Sequence, residues 1–178
     1  MIKKKDINKI LEKFDGIIIT GQRGSGKTKA GMKVLKHLAE KYPLSRGLII
    51  TPTIRDSHIL AEKFKEQLNA DFKPAYKTLE LLNGFRIFLT GTEQPDYIHG
   101  HQQGIAWLEE VPSPDRMLSE LIILGLRIKP AKLIITTSEP QKVLENEYFS
   151  KSNLYTYYVN QDVEWAWELN RRMRSIAA

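Results

Sequence analysis

The stretch GIIITGQRGSGKT, running from Gly16 to Thr28, decides the fold. Gly16 to Thr20 is an apolar, β-branched run of the kind that forms a buried strand. Gly21, Gln22, Arg23, Gly24, Ser25, Gly26, Lys27 and Thr28 then match G-x-x-x-x-G-K-[ST] at every fixed position, and a helix-forming segment follows. A loop of this composition between strand and helix binds phosphate. Its glycines let backbone N–H groups converge on an anion, and the helix directs its positive dipole end at the same place. Lys27 is placed for the β and γ phosphates of a nucleoside triphosphate such as ATP, and the Thr28 hydroxyl for Mg²⁺.

Working outward, apolar β-rich runs alternate with helical patterns, which predicts a single α/β domain over residues 1–178. The pattern predicts a short helix over Asp6 to Phe14, a helix over Lys27 to Lys41, and a strand at Gly47 to Thr51. A helix over Arg55 to Leu68 follows, then a strand from Phe85 to Thr90 entered through a turn at Asn83-Gly84. Tyr76 to Leu82 reads as neither helix nor strand with any clarity, and Gly91 to Gly104 reads as a loop. Further on come a strand at Ile105 to Leu108, a helix over Asp115 to Leu126, strands at Leu133 to Thr137 and Thr156 to Val159, and a closing helix over Glu164 to Ser175. Trp165, Trp167, Tyr155, Tyr157 and Tyr158 supply aromatic surface for packing that helix on the sheet, with base stacking as the alternative.

Composition excludes several classes. The chain has no cysteine, so a disulfide framework, a thiolate metal site and a thiol nucleophile are all ruled out. No apolar run reaches the ~18 residues of a membrane span, and the amino end lacks the apolar core of a signal peptide, so the expectation is a soluble intracellular protein without membrane contact. The net charge of +6 suits either a polyanionic partner or a lysine-rich solvated surface. His99 and His101 lack further ligands at metal-binding spacing.

Two carboxylates, Glu109 and Glu110, stand at the end of the strand Ile105 to Leu108. In open α/β sheets ligands gather at the carboxyl ends of strands, the rim that also carries the P-loop. Phosphoanhydride hydrolysis needs one acid in the metal shell and another group to orient water, and the assignment is Glu109 for the first and Glu110 for the second. Thr136, Thr137 and Ser138 end another apolar strand. Thr137 and its neighbours are candidates for hydrogen bonding to the γ-phosphate or for sensing its loss, or else for a simple hydroxyl-rich turn before Pro140.

In order and spacing these residues resemble the ATPase domain of the large terminase subunit, the DNA-packaging motor of tailed bacteriophages. The likeness runs from the P-loop through Thr51-Pro52-Thr53, the segment Glu93 to Gly100, the strand ending Glu109-Glu110, and Leu124 to Arg127, and it ends at Thr136 to Pro140. The resemblance implies a RecA-like P-loop NTPase of the ASCE type, a central mostly parallel sheet flanked by helices, using ATP and Mg²⁺. It further implies a homo-oligomeric ring acting on double-stranded DNA, with portal and small terminase subunit as partners, in the host cytoplasm. His99 stands where the family usually carries an arginine. Arg23, acting in cis, and Arg127, acting in trans, are the remaining candidates for an arginine finger, which neutralises charge at the transition state.

Full-length members also carry an RNase H-like nuclease. Too few residues follow Pro140 to form one, so DNA cleavage by this chain is not expected. The alternatives are a helicase-like nucleic-acid-stimulated ATPase, a P-loop kinase using the cluster Arg171, Arg172 and Arg174, and a nucleotide binder that does not hydrolyse.

Overall fold

The computed structural model describes residues 2–99, 101–111 and 114–159. The chain runs through α1 (Lys4–Lys13), β1 (Gly16–Thr20), α2 (Lys27–Lys41), β2 (Arg46–Thr51), α3 (Ile54–Leu68), β3 (Ala70–Lys73), β4 (Thr78–Leu81) and β5 (Arg86–Gly91). It continues through α4 (Pro95–Ile98), β6 (Ile105–Glu109), α5 (Arg116–Gly125), β7 (Lys132–Thr137), α6 (Pro140–Leu144) and β8 (Leu154–Tyr158). The expected closing helix, with Trp165 and Trp167, and the cluster Arg171, Arg172 and Arg174 lie outside the described residues.

The strands form one sheet in the order β3-β4-β5-β2-β6-β7-β1-β8. From β5 to β8 all pairings are parallel, and β3 and β4 add an antiparallel edge. The parallel arrangement follows from the sequence because each central strand is apolar on both faces. Ile17, Ile19, Ile49, Trp107 and Ile134 pack in one core with residues of α1, α2 and α3. Their neighbours Ile18, Leu48, Ile50, Leu108 and Ile135 pack in a second core with residues of α5 and α6. A strand buried on both sides reads as a continuous apolar run, as GIIIT and LIITT do.

β7 lies between β1 and β6. The P-loop strand and the strand ending in two carboxylates are therefore separated by the strand ending in hydroxyls, and all three run the same way, with Ile17 opposite Ile134 and Trp107 opposite Ile134. Every carboxyl end thus falls on one rim.

The sequence reading differs from the structure mainly at the antiparallel edge. The ambiguous Tyr76 to Leu82 contains β4, and β3 carries no strand signal in the sequence. Ala70-Asp71-Phe72-Lys73 is partly exposed along its length, so it lacks the apolar run that marks the central strands. The expected turn at Asn83-Gly84 forms, with Gly84 at φ +85° and its N–H donating to the Leu81 carbonyl at 2.9 Å. Short helices α4 and α6 interrupt segments read as loop or turn, and each begins at a proline, whose fixed φ suits the first helical position.

Candidate nucleotide site

β1 passes directly into the loop Gly21 to Gly26, and α2 begins at Lys27. Gly24 and Gly26 have φ of +78° and +97°, and a Cβ on either would meet nothing within 4 Å. Glycine is required there by the left-handed backbone, not by space. Gly26 precedes α2 with no side-chain cap, and the first turn of α2 contains no acidic residue. The leading N–H groups of a helix lack intrahelical partners, so this end is left for an anionic acceptor. The Ser25 hydroxyl is buried beneath the loop without a protein partner, which also fits a ligand with acceptor oxygens.

Lys27 is 5% exposed although it bears a charge. Its Nζ donates to the carbonyls of Gly21 at 3.1 Å and Gln22 at 3.2 Å, and pairs with Glu110 Oε1 at 3.0 Å. The side chain thus folds back under the loop rather than into solvent.

Glu109, at the end of β6, is buried between α2 and β7. One carboxylate oxygen accepts from the Thr28 hydroxyl and the other from the Thr136 hydroxyl, joining the P-loop helix to β6 and β7. Thr136 is itself held, its Oγ1 accepting from Trp107 Nε1 at 3.1 Å. Burial pushes the Glu109 carboxyl above its usual range, and the Glu110 charge adds to that, while the hydrogen bonds from Thr136 and Thr28 and the Lys27 charge oppose it.

Glu110 has the left-handed φ of +50°, uncommon for a residue with a side chain. Its N–H donates to the Thr136 carbonyl at 2.9 Å, which continues the β6–β7 pairing one residue past the strand end. The reversed backbone turns the carboxylate toward Lys27. Backbone conformations of this cost concentrate where function demands a particular side-chain direction.

Of the remaining residues singled out from sequence, Ser138 Oγ donates to Glu110 Oε2 at 3.4 Å. Thr137 is buried beside Thr20, and its hydroxyl accepts from the Glu139 N–H at 3.0 Å, closing the turn before Pro140. The three hydroxyls therefore divide, Thr136 to one acid, Ser138 to the other, and Thr137 to its own turn. Arg23 is exposed on the P-loop. Arg127 is not part of this group. Gln103 N–H donates to the Gly125 carbonyl and Ile128 N–H to the Gln103 carbonyl, so Arg127 sits beside the start of β6, at the rim opposite the P-loop, with Nε on the Leu124 carbonyl at 2.7 Å. His99 and His101 line a groove with Arg127 on that side, and no cluster of metal-binding side chains occurs among the described residues.

Sequence reasoning missed the part played by Gly31 inside α2. A Cβ there would come within 2.6 Å of the Trp107 ring and 3.0 Å of Thr136 Cγ2. Gly31 lets the P-loop helix approach the residues that carry Glu109, and a lone glycine in mid-helix was the available signal. Glu93, part of the acidic-proline segment, has a structural role: its Oε1 accepts from the Ile54 N–H at 2.6 Å at the start of α3, beside the Thr53–Asp56 capping box.

No protein-family model matches the chain, and no curated protein matches it. Among solved structures, it resembles the large terminase of the thermophilic bacteriophage D6E in complex with ATP-γ-S, with a TM-score of 0.69 and 17% identity over 92% of this chain and 45% of that one. The ADP complex of the same terminase gives a TM-score of 0.68 over 92% of this chain and 46% of that one, also at 17% identity. The ATPase domain of the Thermus phage P74-26 large terminase gives 0.58 at 17% identity, over 90% of this chain and 80% of that domain. The fold is thus the one found in large terminase ATPase domains, a RecA-like P-loop NTPase fold. The chain spans less than half of the D6E terminase.

Proposed function

We propose that this chain is an ATP-hydrolysing motor domain of the terminase type, which converts hydrolysis into movement of double-stranded DNA. The observation that carries the reading is the junction of the P-loop with two acids of different environment. Glu109 is buried on Thr28, and Glu110 is 41% exposed and turned to Lys27. Two adjacent carboxylates so separated can take separate tasks.

The Thr28 hydroxyl and Glu109 carboxylate form an all-oxygen donor set, which fits Mg²⁺, an ion that takes few protein ligands and fills the rest with water and phosphate. When bound it would neutralise charge on the β and γ phosphates. The chain's own residues do the rest. The P-loop N–H groups and the start of α2 bind the phosphates. Lys27 exchanges Glu110 for a phosphate oxygen, and this exchange frees Glu110 to orient a water for in-line attack. Loss of the γ-phosphate lets the Lys27–Glu110 pair re-form, and Ser138 and Thr136, bonded to the two acids, transmit the change into β7.

Arg23 is the cis candidate for stabilising the transition state. Arg127, on the far rim, can act only on a site in another copy, as a ring of copies would allow. Portal and small terminase subunit are the partners this reading assigns, in the host cytoplasm, with a sequence-tolerant, salt-sensitive grip on the DNA backbone. Mg²⁺-dependent ATP hydrolysis measured against protein concentration, with and without duplex DNA, tests it. The expected rate rises more than linearly with concentration, increases with DNA, and is lost in Lys27→Ala. A linear rate indifferent to DNA would overturn the motor reading in favour of a kinase or nucleotide sensor.

A further inference from the structure

The strand order bears on where the other end of a bound nucleotide would lie, and this inference rests on the phosphate-binding reading of the P-loop. Across the sheet the order is β6-β7-β1-β8. The acids that face the terminal phosphate end β6, and the loop that cradles the phosphates leaves β1. With its γ end held toward β6 by Lys27 and Glu110, a triphosphate crossing the P-loop carries its nucleoside the opposite way, toward β8.

The carboxyl end of β8 adjoins the first residue of the loop. Tyr158 pairs with Thr20 in parallel register, and Val159 N–H donates to the Thr20 carbonyl at 2.8 Å. A Cβ on Gly21 would stand 3.5 Å from Val159 Cβ. Along β8, Tyr155 and Tyr157 are 0% and 2% exposed and belong to the core shared with α1 and α2. Tyr158 points to the other side of the strand and is only partly buried. Its register opposite Thr20 places it at the rim, beside the loop, on the side away from the acids.

We propose that the ring of Tyr158 is the platform on which the base of the bound nucleotide stacks. A flat aromatic face suits this task because every base has a π-face, and the contact needs no hydrogen-bond complement. The base site is then separable from the phosphate site, one on β8 and the other on the P-loop.

Calorimetric titration of wild type, Tyr158→Phe, Tyr158→Leu and Tyr158→Ala with Mg-ATP and with inorganic tripolyphosphate tests this. ATP should bind roughly 5- to 100-fold more weakly to the Leu and Ala variants and normally to the Phe variant, while tripolyphosphate binds all of them alike. Unchanged ATP affinity in Tyr158→Leu or Tyr158→Ala would overturn the stacking site. Equal loss of ATP and tripolyphosphate in both variants would overturn it as well, since Tyr158 would then be shaping the loop. Failure of wild type to bind tripolyphosphate, or binding unaffected by Lys27→Ala, would instead remove the phosphate reading beneath it.

Discussion

At the carboxyl rim of the sheet, Lys27, Thr28, Glu109, Glu110, Thr136 and Ser138 hydrogen-bond or pair with one another across the ends of β6, β7 and the start of α2. At the amino rim, several buried polar atoms are left out of any such network. Ser45 Oγ, both polar atoms of the Gln103 amide and His37 Nδ1 have no protein partner. Parallel strands explain the contrast. Each strand delivers its last residues to the same edge, so side chains distant in sequence meet there, whereas the other edge collects the starts of strands and the ends of helices. The carboxyl rim is accordingly the one where a single substitution should disturb several neighbours.

The sharpest way to break the comparison is Glu110→Gln. If the carboxylate orients the attacking water, turnover should fall by about 10²- to 10⁴-fold. ATP binding should persist or tighten, because a phosphate no longer competes with Glu110 for Lys27. Single-turnover hydrolysis alongside equilibrium binding separates the two effects, and undiminished turnover would remove Glu110 from its role. An equivalent change at Arg127, across the sheet, should leave nucleotide binding by a single copy untouched.

A smaller effect is expected from Gly31→Ala. The added methyl would collide with Trp107 and Thr136, and overpacking of this kind costs about 1–3 kcal/mol, against a helix-propensity gain of about 1 kcal/mol. Thermal unfolding should move down by roughly a few degrees. Because Trp107 holds Thr136 and Thr136 holds Glu109, the proposed hydrolysis should fall with it. A variant more stable than wild type would show that α2 has room to spare at this point.

What was legible in the sequence follows the same division. The P-loop, its strand and its helix could be read to the residue at β1 and α2, because the left-handed glycines are demanded by local geometry and Lys27 and Thr28 complete a motif of fixed spacing. Glu109 and Glu110 were legible as a pair, since they end an apolar strand. Their different surroundings were not, because those depend on which strand inserts between β1 and β6 and on the φ of Glu110, neither of which leaves a local mark. The antiparallel edge was only half legible. The Asn83-Gly84 turn carries its own signal, while β3 is defined only by its partner β4.

The smallest expected effect belongs to the amino rim and concerns pH. His37 lies near the end of α2, is 7% exposed, and has Nε2 at 2.7 Å from Asn8 Oδ1. Burial lowers its affinity for a proton below the usual 6.5, the Lys4 and Lys41 charges act the same way, and Glu40 opposes them. A histidine depressed in the folded state binds protons more readily when the chain unfolds. Its contribution to stability is therefore full above about pH 6.5 and is lost as pH falls through the lower folded value. Thermal unfolding of wild type should drop between about pH 7 and pH 5 by more than that of His37→Gln, which keeps an amide to donate to Asn8, with a difference on the order of a few degrees. Identical pH profiles would mean that His37 gains a proton without cost in the fold, and that the amino rim is as forgiving of charge as it is of unpaired polar atoms.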